Sequence, residues 1–314
     1  MRLQAISAGI EAPAAAFSAV VHSVFARACN LRTGAGPLVT LLTAEQQNLP
    51  CAIRVEAHAA FDFTAHTRSG QQVTCDGNIA RFAGGALQVD LSAARLWHVD
   101  LGALGCDLRQ AGAYRAWRAV MAELRAARRD CGLSAMLATH RNERVAGRAD
   151  VRLLARRGAR AVAALITCAR NHDANGALAP AAQLVGLGPG LTPSGDDFLV
   201  GFLAGMWACA HDDTRRRAFL ASFGSGLARL AEATGDVSRA YLLSAIAGNA
   251  SERLALLATL IARGATPLEV RAATRAALAV GATSGADGVI GLLAGTAVWS
   301  PRADAATAAL APQR

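Results

Sequence analysis

The residues best suited to chemistry lie in the stretch GLGPGLTPSGDD, residues 186–197, which runs directly into the apolar segment FLVGFLAG. A glycine-rich loop at the start of a helix exposes amide donors at the positive end of the helix dipole, which suits a phosphate or a carboxylate. The stretch is not a Walker A loop, because no lysine follows its last glycine, and it lacks the third glycine of a dinucleotide-binding loop. It therefore predicts a site for a small anion, with helix initiation as the structural alternative.

This loop and the helix after it occur twice in the chain. Residues 190–205, GLTPSGDDFLVGFLAG, align with residues 281–295, GATSGADGVIGLLAG, after deletion of one proline. The identical pairs include Gly190/Gly281, Thr192/Thr283, Ser194/Ser284, Gly195/Gly285, Asp197/Asp287, Gly201/Gly291 and Gly205/Gly295. Identities at fixed spacing in these residue types indicate a duplicated loop–helix unit.

The positions that the two copies share predict structural roles. Ser194 with Asp197, and Ser284 with Asp287, have the spacing of a capping box, so helix initiation is the most economical interpretation. The Gly-x-x-x-Gly pairs that follow allow two helix backbones to approach closely. We therefore predict that helices 195–210 and 285–299 pack about a pseudo-two-fold axis, with their N-terminal loops near one another or near one shared cleft.

Asp196 and the GLGPG segment are unique to the first copy. A carboxylate would repel a bare anion, so Asp196 indicates either a bridging Mg²⁺ or proton transfer on a bound amide or acid. The alternative is a first-turn acid that faces water and favours the helix dipole. Asp196 is the predicted catalytic residue. The sequence identifies no cofactor with certainty and no metal ligands, and Mg²⁺ is the candidate.

Other polar residues give weaker signals. Thr234, Asp236 and Ser238 precede a helix in TGDVSRAYLLSAIAG, where N-capping by Asp236 or Ser238 is the main interpretation. The seven histidines lack metal-ligand spacing. The seven cysteines are scattered without a C-x-x-C pair, which predicts a reducing compartment and a cytoplasmic location.

The composition argues against nucleic-acid and membrane functions. The net charge is +9, but every basic residue is arginine, the arginines are dispersed along helix faces, and aromatic stacking residues are scarce. Such a charge can still steer small anions or dock an acidic partner. The longest apolar run, residues 198–210, has 13 residues, whereas a membrane span needs about 20. The N-terminus also lacks the pattern of a signal peptide.

The chain changes character near residue 112. Before it, short β-branched runs alternate with turn signals such as DGN at 76–78 and the glycines at 84 and 85. One helix is expected near the N-terminus, over residues 12–28. After it, helices are predicted over 113–130, 150–170, 195–210, 214–232, 237–247, 250–263, 267–280 and 285–299, with a capping box at Thr266. The predicted fold class is α+β, with a β-rich domain over 1–112 and a larger all-α domain over 113–314 that contains the duplicated Gly-rich loop–helix unit.

The chain resembles the AllH family, which includes a subunit of bacterial oxamate carbamoyltransferase and was once catalogued as a domain of unknown function and grouped with carboxylases. LVGLGPGLTPSGDDFLVGFLAG, TGDVSRAYLLSAIAG and GATSGADGVIGLLAG carry the resemblance in the helical half. HSVFARACNL, GPLVTLLTAEQQNLPCAIRV and ARLWHVDL extend it loosely over the first half. The family's second copy often reads G-H-[ST]-S-G, whereas Ala282 stands here, so any role of that histidine is lost.

The resemblance implies carbamoyl transfer between oxamate derivatives and phosphate, yielding carbamoyl phosphate, in allantoin or purine-nitrogen catabolism. It also implies a complex with other subunits, one of which resembles acyl-CoA synthetases. The predicted substrate- or anion-binding residues are Gly188, Gly190, Thr192, Ser194, Gly195, Asp197, Thr283, Ser284, Gly285 and Asp287. Three functions stay open: a substrate-binding or catalytic subunit, a non-catalytic assembly subunit with an architectural loop, and a stand-alone ligase or carboxylase acting on small organic acids.

Overall fold

A computed structural model describes residues 1–34, 36, 38–127, 132–134 and 149–301, with residues 149–152 described by their backbone alone. The chain divides into two compact units, Met1–Val99 and Asp100–Arg314. The described part of the first unit is built on β-strands and that of the second on helices. The predicted α+β class, with the β-rich part first, is therefore confirmed.

The described residues of the first unit form a nine-stranded sheet that closes on itself. Its strands are β1 (Arg2–Gly9), β2 (Phe17–Phe25), β3 (Ala28–Thr33), β4 (Leu38–Thr43), β5 (Ala52–Glu56), β6 (Gln72–Cys75), β7 (Ile79–Phe82), β8 (Gln88–Asp90) and β9 (Arg95–Trp97). The strand order is β5-β4-β3-β2-β6-β7-β8-β1-β9, and a further β1–β5 pairing closes the sheet. The pairs β1–β8, β1–β9 and β4–β5 are parallel, and the other pairs are antiparallel.

Alternation along the strands builds the core of this unit. In β2, for example, Ala19 and Val21 are buried while Ser18 is exposed, which is the period of two that a half-buried strand requires. The core also contains fully buried aromatic side chains, among them Phe61 and Phe63, whose rings lie 4.8 Å apart edge to face.

The helix expected over residues 12–28 is wrong. The segment forms β2 and the beginning of β3, which pair antiparallel with each other. Alanine content suggested a helix, but Val20, Val21 and Val24 are β-branched and favour the pleated surface. The neighbouring strands supply the hydrogen bonds that settle the conformation.

Both turns predicted from glycines are confirmed. β6 and β7 pair antiparallel on either side of the DGN turn, where Gly77 has a φ of +101° and Asp76 accepts amide hydrogens from Asn78 and Ile79. The turn between β7 and β8 contains Gly84 and Gly85, both with positive φ. These are conformations that glycine adopts without strain.

The described part of the second unit has nine helices. They are α1 (Ala111–Ala126), α2 (Ala149–Arg170), α3 (Ala174–Leu184), α4 (Ser194–Ala210), α5 (Thr214–Leu230), α6 (Asp236–Ile246), α7 (Glu252–Ala262), α8 (Pro267–Leu278) and α9 (Ser284–Ala297). Each of the eight predicted helices is present, with ends that differ by a few residues, although residues 128–130 of the first prediction lie outside the described residues. The capping box at Thr266 is confirmed.

Helix α3 was missed because Gly176 and Pro180 interrupt the apolar pattern. Asp173 caps it by accepting the amide hydrogen of Gly176. Helices α4 and α9 differ from the others because they are buried almost on all sides. A helix that is apolar all round belongs in a core or in a membrane. None of the described helices is both long enough and apolar enough to cross a membrane.

Candidate functional site

Helices α4 and α9 cross with their backbones in direct contact. A Cβ atom on Gly201 would lie 1.9 Å from the carbonyl oxygen of Gly288, and one on Gly291 would lie 2.1 Å from that of Phe198. A Cβ atom on the second glycine of each pair, Gly205 or Gly295, would lie 2.4 or 2.1 Å from a facing carbonyl oxygen. The predicted packing of the two helices is confirmed. The two loop–helix units therefore form one body in which each helix start faces the other.

The helix starts exchange side-chain hydrogen bonds across the two copies. The Ser194 hydroxyl bonds to the carboxyl of Asp287, and the Ser284 hydroxyl bonds to the carboxyl of Asp197. Thr192 also bonds to Asp197, and its Oγ1 lies 2.9 Å from Oγ of Ser284. We call these the crossed serine–aspartate pairs. They show that the first turns of α4 and α9 meet in one place.

The capping-box interpretation of these serines is therefore wrong. The N-cap residues are Pro193 and Thr283, and neither helix has a side-chain capping hydrogen bond. Each serine lies one position inside its helix, so its hydroxyl reaches the aspartate of the other copy. Sequence spacing alone could not distinguish a capping box within one helix from a bond between the two copies, because Ser-x-x-Asp is compatible with both.

Burial raises the pKa of both shared aspartates to about 7 from an ordinary value of 3.8. For Asp197 the negative charge of Asp287 raises the pKa further, while hydrogen bonds from hydroxyl groups lower it. Asp287 has 0% exposure, and the amide of Leu133 donates to its Oδ1 at 2.8 Å. Asp197 is partly exposed. Among the described residues neither Oδ2 atom has a hydrogen-bond partner, and both are buried.

Removing one of these acids should change how stability depends on pH. Between about pH 4 and about pH 7 these carboxyl groups are protonated in the folded chain and ionised in the unfolded chain. The free energy of unfolding of the wild type therefore falls as pH rises through this range. Asp287→Asn lacks one of these groups. As pH rises from about 5 to about 8, we expect its free energy of unfolding to increase by about 1–2 kcal/mol relative to that of wild type. Urea unfolding across this range measures the difference. A constant offset for Asp287→Asn across this range would contradict the prediction.

A short 3₁₀ turn, Gly132–Ser134, covers Asp287. A Cβ atom on Gly132 would lie 2.5 Å from Oδ2 of Asp287 and 2.9 Å from Oγ of Ser194. Glycine is thus needed where this turn passes over the carboxyl group. The amide of Ser134 also hydrogen-bonds to Asp287. The turn closes one side of the site, and no motif in the sequence indicates it.

Asp196 occupies a different environment from Asp197. It is fully buried, and three donors surround it: the Gly186 amide reaches Oδ1 at 2.9 Å, and the hydroxyls of Thr234 and Ser238 reach Oδ2 at 2.6 and 2.7 Å. This geometry ties the glycine loop to the start of α6. The catalytic role of Asp196 stays a prediction, and the contacts favour a role in positioning the loop.

The capping role suggested for Asp236 or Ser238 is wrong. The N-cap of α6 is Gly235, without a side-chain hydrogen bond, and Asp236 is the first residue of the helix. Ser238 points instead to Asp196, together with Thr234. TGDVS and GLGPGLTPSGDD, which sequence analysis treated as separate motifs, therefore form one hydrogen-bonded structure.

The glycine loop has three residues with positive φ, Gly186, Gly188 and Gly190, which explains its composition. Within the part of the chain that the structure describes, the amides of Gly188 and Gly190 have no hydrogen-bond partner. The amide of Gly195 is already bonded, since it donates to the carbonyl of Leu187 at 2.9 Å. The amides of Gly188 and Gly190 are therefore among the donors left to a ligand.

The structure brings together most of the predicted site residues. The group around the two helix starts consists of Thr192, Ser194, Asp197, Thr283, Ser284 and Asp287. Gly285 lies in the first turn of α9, where its amide donates to the carbonyl of Val280. Among the described residues no group of three or more His, Cys, Asp or Glu side chains is arranged to hold a metal ion.

The fold and the site define a class of protein: a closed N-terminal sheet unit and a helical unit built on a duplicated loop–helix, with one acid from each copy at the helix starts. Two family profiles match the chain, the AllH family N-terminal domain over residues 4–96 and oxamate carbamoyltransferase subunit AllH over residues 184–296. The chain belongs to the AllH family. No curated protein and no solved structure matches it.

Proposed function

We propose that this chain is a subunit of a carbamoyltransferase complex and that the facing starts of α4 and α9 form its site for a small, oxygen-rich anion. The family description supports the reaction class, since it names a subunit of oxamate carbamoyltransferase. The proposed ligands are oxamate or its carbamoyl derivative, phosphate, and carbamoyl phosphate. The proposed setting is the catabolism of allantoin and purine nitrogen in the cytoplasm. The six described cysteines, all free thiols, support that location.

The observation that carries this proposal is the contact between Thr192 and Ser284, whose hydroxyl oxygens are 2.9 Å apart. This contact joins the two loops at one point, where hydroxyls from both copies lie together, and the loop before it carries the unbonded amides of Gly188 and Gly190. Donors of this kind at helix N-termini suit phosphate and carboxylate groups. They can also stabilise negative charge that develops during acyl transfer.

Two acids at this place are compatible with an anionic ligand because burial raises their pKa values to about 7. A protonated carboxyl donates a hydrogen bond instead of repelling an anion. The net charge of +9 supports the same ligand class, since a positive protein attracts small anions at long range.

Calorimetric titration of the purified chain with phosphate, carbamoyl phosphate and oxamate tests the proposal. We expect saturable binding of at least one ligand and a Kd about ten- to a hundredfold weaker in Thr192→Val, because one hydroxyl donor to a charged group is lost. Thr192→Ser keeps the hydroxyl and should bind like wild type. Titration with Mg²⁺, alone and before each anion, tests the candidate cofactor.

Two results would contradict the anion site. One is the absence of binding by both the chain and its complex, with the chain folded. The other is equal binding by Thr192→Val and wild type, which would place the ligand elsewhere.

The backbone crossing at Gly201 and Gly291 favours a second candidate function, that of an assembly subunit. In that case the glycines serve close helix packing alone, and the chain supports partner subunits such as one resembling acyl-CoA synthetases. Affinity purification of wild type and Thr192→Val with their partners separates the two functions. A complex of normal composition with lost turnover favours the anion site, and unchanged turnover favours assembly.

A further inference from the structure

The two shared acids differ in accessibility, although the repeat makes them equivalent in sequence. Asp287 is fully buried beneath the turn Gly132–Ser134, and the amide of Leu133 occupies its Oδ1. Asp197 is partly exposed and lies among the hydroxyls of the facing loops. A ligand at the helix starts would therefore reach Asp197 first, with Asp287 behind it.

The unpartnered oxygens indicate that the pair holds a proton. A buried acceptor without a donor costs about 1–3 kcal/mol, and more when it is charged. Both Oδ2 atoms lack a donor among the described residues. A proton on either carboxyl removes one charge and supplies a donor.

The groups that face Asp197 and Asp287 are also consistent with a shared proton. Hydroxyls and amides come from the two helix starts and from the 3₁₀ turn, and negative charge comes from the neighbouring Asp196. Among the described residues none of the main influences on the two pKa values is a basic side chain. Within the described part of the chain, a proton on the pair is one way to offset this charge.

We propose that Asp197 is the general acid of the carbamoyl transfer and that Asp287 is a positioning residue whose charge keeps Asp197 protonated. The proposal rests on the proposed function. A phosphate oxygen attacks the carbamoyl carbon of an N-carbamoyl oxamate, and the bond from that carbon to the oxamate nitrogen breaks. The nitrogen takes the proton of Asp197, and the hydroxyl proton of the attacking hydrogen phosphate restores it. The products are carbamoyl phosphate and oxamate, with no net gain or loss of protons.

The duplicated loop–helix unit explains why the two acids occur as a pair. Each copy supplies one aspartate and the serine that bonds to the aspartate of the other copy, so one copy alone cannot build the pair. The close crossing at Gly201 and Gly291 brings the two acids together. The turn Gly132–Ser134 covers Asp287, whereas Asp197 is partly exposed. The two acids therefore differ in access to a ligand although the repeat relates them.

The test uses the complex that co-purifies with the full chain, assayed for carbamoyl phosphate formation between about pH 5 and about pH 9. We expect Asp197→Asn to lower kcat by about 10²–10⁴-fold, the usual contribution of a general acid, while substrate Kd changes by less than about threefold. Asp287→Asn should move the alkaline limb of the kcat profile to lower pH by about 1–2 pH units, with activity recovering in acid. Asp173→Asn, at a surface helix cap, should match wild type.

Infrared difference spectra of the isolated chain near pH 6 give a second readout that needs no partner. We expect a carbonyl band of a protonated carboxylic acid that is lost in Asp197→Asn, with no such loss in Asp173→Asn.

Each other outcome overturns a defined part of the proposal. Normal turnover and binding by Asp197→Asn reject the general acid while the proposed function stands. An equal loss at every pH in Asp287→Asn makes its role merely structural. Tight Mg²⁺ binding that both variants lose makes the pair a cation site instead. If wild type binds no substrate in chain or complex, the proposed function itself fails.

Discussion

Gly291→Ala should unfold or strongly destabilise the helical unit, with an expected loss of about 3 kcal/mol or more in the free energy of unfolding. The added Cβ atom would lie 2.1 Å from the carbonyl oxygen of Phe198 and 2.7 Å from the amide nitrogen of Phe202. Both neighbours are backbone atoms of a helix buried on nearly all sides, so neither can rotate away. Relief requires the two helices to separate, which would also break the crossed serine–aspartate pairs.

Gly288→Ala provides a matched control within the same buried helix. Its Cβ atom would meet the side chain of Leu254 at 3.5 Å and the carbonyl oxygen of Asp197 at 3.7 Å, which are ordinary contacts. Alanine is favoured over glycine in a helix interior by about 1 kcal/mol, so this variant should be as stable as wild type or more stable. Urea unfolding followed by circular dichroism compares the two. Equal stability of both variants would contradict the backbone contact.

The sequence was sufficient to predict this crossing because the signal appears twice. A single Gly-x-x-x-Gly is common in a glycine-rich chain, whereas two copies at the same distance from a shared Ser-x-x-Asp define a symmetric pair. The partners of the polar residues could not be predicted in the same way. Hydrogen bonds between Ser194 and Asp287 join positions far apart in sequence, and local spacing identifies only neighbours along one helix.

The different environments of Asp196 and Asp197 show the same limit. Adjacent residues on a helix point about 100° apart, and the sequence does not say which direction faces the second copy. A usable signal was nevertheless present. Asp197 is the acid that recurs at position 287, so the pseudo-two-fold axis places it at the crossing, while the unpaired Asp196 must point elsewhere.

The misassigned N-terminal helix has a different cause. Between residues 12 and 28, alanine suggested a helix and valine suggested a strand, and local preference could not settle the conflict. Pairing of β2 with β3 and β6 did so, because a closed sheet leaves few backbone groups without a partner. Strands bounded by clear turn glycines, such as β6 and β7, were predictable because the turns themselves fix the register.

Asp196→Ala should also be strongly damaging, with an expected loss of about 3–5 kcal/mol in the free energy of unfolding. Hydrogen bonds to a charged group contribute about 1.5–3 kcal/mol each, and truncation leaves buried donors unpaired. Those donors are the Gly186 amide and the hydroxyls of Thr234 and Ser238. Asp196→Asn keeps the shape but replaces one acceptor oxygen by a donor, so we expect a smaller loss of about 2–3 kcal/mol.

A double-mutant cycle with Ser238→Ala isolates this contact. Ser238→Ala should cost about 1–2 kcal/mol in wild type and much less in Asp196→Asn, because its partner has already lost the negative charge. Additive losses would mean that the 2.7 Å contact between Ser238 and Asp196 contributes little to stability.

The cycle also bears on function, since Asp196 holds the glycine loop through Gly186. If Asp196 only positions that loop, Asp196→Asn weakens anion binding and leaves the pH profile of turnover unchanged. If Asp196 is itself the proton donor, turnover is lost while binding stays close to wild type. Stability falls in both cases, so the loss of binding or the loss of turnover decides which of two adjacent aspartates carries the chemistry.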